Sequence, residues 1–157
     1  MSPTPLTVQA QQIHAHVHAP AWQRQLDSLR RPDRRLMHWH LSSESLLEAL
    51  HTCPASLGIL ELGARDIEST LQQVSEQPWL TGQLILATTR VPEAWLQPLR
   101  SWGFLRVYSG VAQVRDFPRL VERYFLTRPA IEISLEAGID AQLPWPRFAT
   151  EGRAAAN

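Results

Sequence analysis

Five of the six histidines fall in two short rows, H14-A-H-V-H18 and H38-W-H40. Residues two apart on an extended strand share a face. His14, His16 and His18 therefore form one imidazole row, and His38 and His40 another. If the two segments lie side by side, three or more imidazoles converge, a donor set suited to zinc, nickel or copper. Packed beneath a helix, the same rows would be neutral imidazoles with local partners; exposed, they would titrate near neutrality. No carboxylate lies close in sequence to orient the rings. A second candidate is Glu61, near the end of the apolar run S56-L-G-I-L-E-L62. It reads either as a functional carboxylate or as a strand-end glutamate, hydrated or paired with Arg65 or Arg90. Left buried without a partner it would protonate rather than stay charged. Cys53 and His51 are two apart at a helix end and point away from each other, so a Cys–His nucleophile is not expected and the thiol reads as structural. Glycine-rich phosphate loops, GxSxG and paired carboxylates do not occur. The basic turn R30-R-P-D-R-R35 reads as a solvated loop, or as a contact for phosphate or an acidic partner.

The totals narrow the field in which such groups could act. The chain has 157 residues, 44% of them hydrophobic, with six tryptophans, enough for one domain with a proper core. Fifteen basic and fifteen acidic residues cancel, so no overall field draws in nucleic acid or anionic lipid. MSPTPLTVQAQQ lacks the charged and apolar regions of a signal peptide. No window reaches the ~18 apolar residues of a membrane span. The single cysteine excludes an internal disulfide and a cysteine-based zinc site. The expectation is a soluble cytoplasmic protein.

Alternating strands and helices must position the candidates. Trp22, Leu26 and Leu29 recur at helical spacing before Pro32. R35-L-M-H-W-H-L41 alternates like a strand. Ser42 or Ser43 can cap a helix bearing Leu46, Leu47 and Leu50. L57-G-I-L-E-L62 is a strand buried on both faces. Asp66 is placed to cap a helix with Ile67, Leu71 and Val74, and Q83-L-I-L-A-T88 is a second buried strand. Pro92 opens a helix lined by Trp95, Leu99 and Trp102. Gly103 ends it, and Pro98 should kink or shorten it. F104-L-R-V-Y108 is a short strand, and Asp116 is placed to cap a helix carrying Leu120, Val121, Tyr124 and Phe125. Trp22, Trp95 and Trp102 read as core. With V8-Q-A-Q-Q-I-H-A-H-V-H18 as first strand, the expectation is a doubly wound parallel sheet of five strands in the flavodoxin-like order 2-1-3-4-5, helices on both faces.

The rhythm S-L-L-E-A-L-H-T-C-P-A-S-L-G-I-L-E-L, followed by Q-L-I-L-A-T-T and S-W-G-F-L-R-V-Y, resembles the receiver domain of bacterial response regulators over residues 38–125. The resemblance places the phosphoacceptor position on Glu61 and the hydroxyl that ends the fourth strand on Thr88. The acidic pair that holds magnesium falls near Val17 and His18, neither acidic. The lysine after the fifth strand falls near Ser109 or Gly110, and the chain contains no lysine. The oxygen ligands for magnesium and the cation for a phosphoryl group are thus missing.

The resemblance implies a degenerate receiver, a phosphorylation-independent signalling module that binds a protein partner or a second copy of itself. Its contact face would be that of the fourth helix, fifth strand and fifth helix, with Trp102, Tyr108 and Phe117 as anchors. A histidine-rich metal-binding protein is the rival. A third reading is an enzyme using the carboxyl edge of the sheet near Glu61, Thr88 and Tyr108. The receiver-like domain is expected over residues 1–128 and an extension over 129–157. In the extension, Ile131 to Leu135 reads as a short helical or extended piece. Q142-L-P-W-P-R-F148 is held open by prolines, so Trp145 and Phe148 can cover the domain or dock on a partner. The last residues, 151–157, read as disordered.

Overall fold

A computed structural model describes residues 7–29, 35–110, 115–128 and 131–134. The element order is β1 Thr7–His16, α1 Pro20–Asp27, β2 Arg35–Trp39, α2 Ser43–Thr52, β3 Leu57–Gly63, α3 Ile67–Ser75, a 3-10 turn Pro78–Gln83, β4 Leu84–Thr89, α4 Glu93–Ser101, β5 Arg106–Tyr108, α5 Phe117–Leu126 and β6 Ile131–Ser134. Strands β2-β1-β3-β4-β5 lie in that order and pair in parallel. The flavodoxin-like α/β architecture expected from the sequence is present. Among the described residues, no helix is long and apolar enough to cross a membrane.

The strand period of two divides the core into two layers. Ile13, Ala15, Ile59, Ile85 and Ala87 face Trp22 and Leu26 of α1 and Val121, Tyr124 and Phe125 of α5. Leu60, Leu62, Leu84 and Leu86 face the other way, onto Leu46 and Leu50 of α2, Leu71 and Val74 of α3 and Leu99 of α4. At roughly 2 kcal/mol per fully buried aliphatic side chain, these layers outweigh any single polar contact. Gly58 lets α2 approach: a Cβ there would lie 2.5 Å from Leu50 Cδ1 and 2.8 Å from Leu84 Cδ2.

Several local expectations change in detail. Ser42 caps α2, its Oγ accepting from the Ser45 N–H at 3.1 Å. Asp66 and Asp116 stand before α3 and α5 without capping them. Asp66 Oδ1 accepts the Gly63 N–H instead, and Asp116 serves Tyr108 and Arg106. Pro98 does not shorten α4, which continues to Ser101; what it forgoes is the bond to the Ala94 carbonyl. Gly103 follows with φ +89, where a Cβ would be strained.

Of the expected tryptophan core, only Trp22 is buried; Trp95 is 36% and Trp102 43% exposed. The buried stripe of α4 is Leu96 and Leu99. At about 100° per residue, Trp95 and Trp102 fall on its flank. The extension also begins inside the sheet, because β6 pairs antiparallel with Thr7–Ala10 of β1.

Candidate functional site

Glu61 stands at the carboxyl end of β3, where the turn after β1 and the end of β4 meet it. Its Oε2 accepts the backbone N–H groups of His18 and, at 3.0 Å, Ala19. Those donors precede the first residue of α1, so the carboxylate sits where the helix leaves N–H groups unsatisfied. Its Oε1 accepts the Thr89 hydroxyl at 2.8 Å. These contacts, rather than Arg65 or Arg90, hold a side chain only 7% exposed. Thr88 is not part of this group. Its Oγ donates to the Tyr108 carbonyl at 2.6 Å, tying β4 to β5 away from the carboxylate. The hydroxyl beside Glu61 therefore comes from the next residue, Thr89, a shift that the twist and pleat of β4 decide and the sequence does not announce.

The histidine rows do converge in part. β1 and β2 are neighbours in the register His14↔His38. The His14 and His38 rings stack with centroids 4.6 Å apart. His14 Nδ1 lies 2.9 Å from His40 Nε2, and His40 Nδ1 lies 2.8 Å from Ser45 Oγ. His16 Nδ1–H donates to the His40 carbonyl at 2.9 Å. His18 lies past the strand end, exposed and edge-on to His16. An N–H···N bond between imidazoles needs one unprotonated nitrogen, so His14 and His40 cannot both be protonated while they share it. Burial, with His38 and His40 adding repulsion, holds the His14 pKa down at about 3. Burial, with His38 and His16, holds His40 at about 4, and burial also lowers His38.

For metal binding the arrangement spends its own donors, since His14 Nδ1 and His40 Nε2 face each other. Among the described residues, no group of three or more histidine, cysteine, aspartate or glutamate side chains is placed to hold an ion. The Nε2 atoms of His14 and His38 are buried without a hydrogen-bond partner.

Two of the expected contact anchors are interior. Tyr108, 3% exposed, and Phe117, 1% exposed, pack edge to face with each other. The Tyr108 hydroxyl donates to Asp116 Oδ1 at 2.8 Å. Neither side chain is open to a partner, because α5 folds its first turn over β5. Trp102 does stay at the surface, stacked on Phe104 with centroids 6.3 Å apart. Trp145 and Phe148, the anchors named in the extension, lie outside the described residues. Cys53 is a free, half-buried thiol at the end of α2.

No protein-family model matches the chain, and no curated protein matches it. Among solved structures it is similar to a yeast Spc42 trimeric coiled-coil segment, amino acids 181–211, fused to another structure, at 12% identity and a TM-score of 0.45, with 95% of this chain and 93% of that chain covered. A likeness at that level shows neither family nor function.

Proposed function

We propose that the chain is a non-catalytic, receiver-like module that binds protein through the face of α4, β5 and α5 without a phosphorylation step. The observation that carries this reading is the state of Glu61. At the position where a receiver accepts a phosphoryl group, the carboxylate already accepts two backbone N–H groups and a hydroxyl. It thereby fixes the turn that in a phosphoacceptor site would bring acidic ligands. Val17 and His18 supply no oxygen ligand there, and no lysine exists to follow β5. A divalent ion demands several oxygens, so the rim favours a structural role over chemistry. The binding face is suggested by what α4 and its C-cap leave in solvent, Trp95 and Trp102, since tryptophan is enriched among interface anchors.

Two measurements on the full chain test the reading. Magnesium with beryllofluoride leaves the melting temperature and tryptophan fluorescence unchanged; a clear shift would return phosphoryl chemistry to the rim. Sedimentation velocity over a concentration series shows self-association that the Trp95→Ala/Trp102→Ala variant lacks. If the wild type stays monomeric, capture of one identified protein by wild type and not by the variant meets the same test. Equal behaviour of the two chains in both assays removes this face from the proposal.

A further inference from the structure

A cavity of about 410 Å³ opens at the other end of the sheet, between the end of α1 and the side of α5. Among the described residues, three guanidiniums line it, from Arg35, Arg119 and Arg123, against one carboxylate, that of Glu122. Arg35 is 4% exposed and is held from several sides. Its Nε and Nη2 donate to Gln11 Oε1 at 3.3 and 3.2 Å, its Nη1 to the Leu29 carbonyl at 3.2 Å, and its Nη2 to Glu122 Oε1 at 3.0 Å. A guanidinium has five N–H donors, so one N–H of Nη1 has no partner among the described residues.

Arg119 and Arg123 sit four apart on α5 and so project from one side of the helix, a like-charge pairing that a helix disfavours. No hydrogen bond or ion pair joins either to another described residue. The rest of the lining is Ser28 and three apolar residues, Leu29, Pro118 and Leu126, the last 84% exposed. Residues 30–34, between two of the lining positions, lie outside the described residues.

We infer that this cavity is a binding site for a small phosphate-bearing molecule with a flat apolar body. The guanidiniums of Arg119 and Arg123, unpaired among the described residues, take the phosphate with paired donors that match its oxygens, and Arg35 adds its remaining N–H. Glu122 does not oppose this, since Arg35 already neutralises it. The Pro118–Leu126 wall takes the body, and the volume lies in the range of small-molecule sites, about 300–1,000 Å³. The site is independent of the rim at Glu61 and of the α4 face, so its failure would leave the proposed function untouched.

Calorimetric titration of the full chain with AMP, inorganic phosphate and sulfate at matched ionic strength decides it. AMP binds at or below about 1 mM and more tightly than phosphate or sulfate. Arg119→Ala and Arg123→Ala each weaken AMP about tenfold. Both side chains are exposed, so the melting temperature of each variant stays at the wild-type value. No AMP binding, sulfate binding as well as AMP, or undiminished binding in the Arg119→Ala/Arg123→Ala chain overturns the inference.

Discussion

Glu61 at the carboxyl end of β3 and Arg35 at the amino end of β2 are both buried charges, 7% and 4% exposed, yet they are neutralised by different means. Glu61 is met by backbone dipoles at the start of a helix and by one hydroxyl. Arg35 is met by an amide, a carbonyl and a carboxylate, with the Phe125 ring 5.7 Å away. The first arrangement closes a site, because three of the roughly four acceptor positions of the carboxylate are taken by the protein's own donors. The second leaves a cavity beside it and a spare donor. The end of the sheet where ligands usually gather in this architecture is thus the quieter one here.

Removing each charge measures the comparison. Arg35→Ala strands the Gln11 amide and the Leu29 carbonyl and removes the guanidinium from Glu122 at once; urea unfolding should show a loss of about 3 kcal/mol. A loss under 1 kcal/mol would mean that water replaces the guanidinium easily. Glu61→Ala uncovers the two N–H groups and should cost about 2 kcal/mol, with Glu61→Gln recovering roughly half because its amide oxygen still accepts. If Gln and Ala are equally harmful, negative charge rather than hydrogen bonding holds the turn.

Acid tests a third region against these two. His14 and His40 keep pKa values of about 3 and 4 in the fold, against about 6.5 in an unfolded chain. Below pH 6.5 the unfolded state takes up protons that the folded state refuses, so stability falls as pH drops from 6.5 and is unaffected by these groups above it. His14 contributes about 1–2 kcal/mol of loss between pH 6.5 and 5. The slope of urea midpoint against pH should flatten in His14→Leu; an unchanged slope would assign acid lability elsewhere. The smallest effect is Tyr108→Phe, which deletes the hydroxyl bond to Asp116 and should lower stability by about 1 kcal/mol in the same unfolding assay.

The sheet and its order were legible because runs such as L57-G-I-L-E-L62 are apolar on both faces and the helices between them carry single stripes. Glu61 at the rim was legible too, but its partners were not. A backbone N–H has no signature in sequence, whereas Arg65 and Arg90 advertise charge. The burial of Arg35 is hidden for the converse reason: inside R-R-P-D-R-R nothing distinguishes the arginine that enters the core from those around it. That Tyr108 and Phe117 lie inside is not legible either, because an aromatic at a strand end or a helix start looks alike in sequence whether it covers the core or faces out. The histidine rows gave register correctly, with His14 opposite His38; what their spacing does not tell is that His14 Nδ1 meets His40 Nε2 while the Nε2 atoms of His14 and His38 stay without a hydrogen-bond partner.

The antiparallel pairing of Ile131–Ser134 with Thr7–Ala10 bears on how the chain assembles during synthesis. The outer half of β1 gains that neighbour only after more than a hundred further residues have left the ribosome, a long-range closure of the kind that slows folding. Until then, Thr7–Ala10 waits for a segment more than a hundred residues downstream.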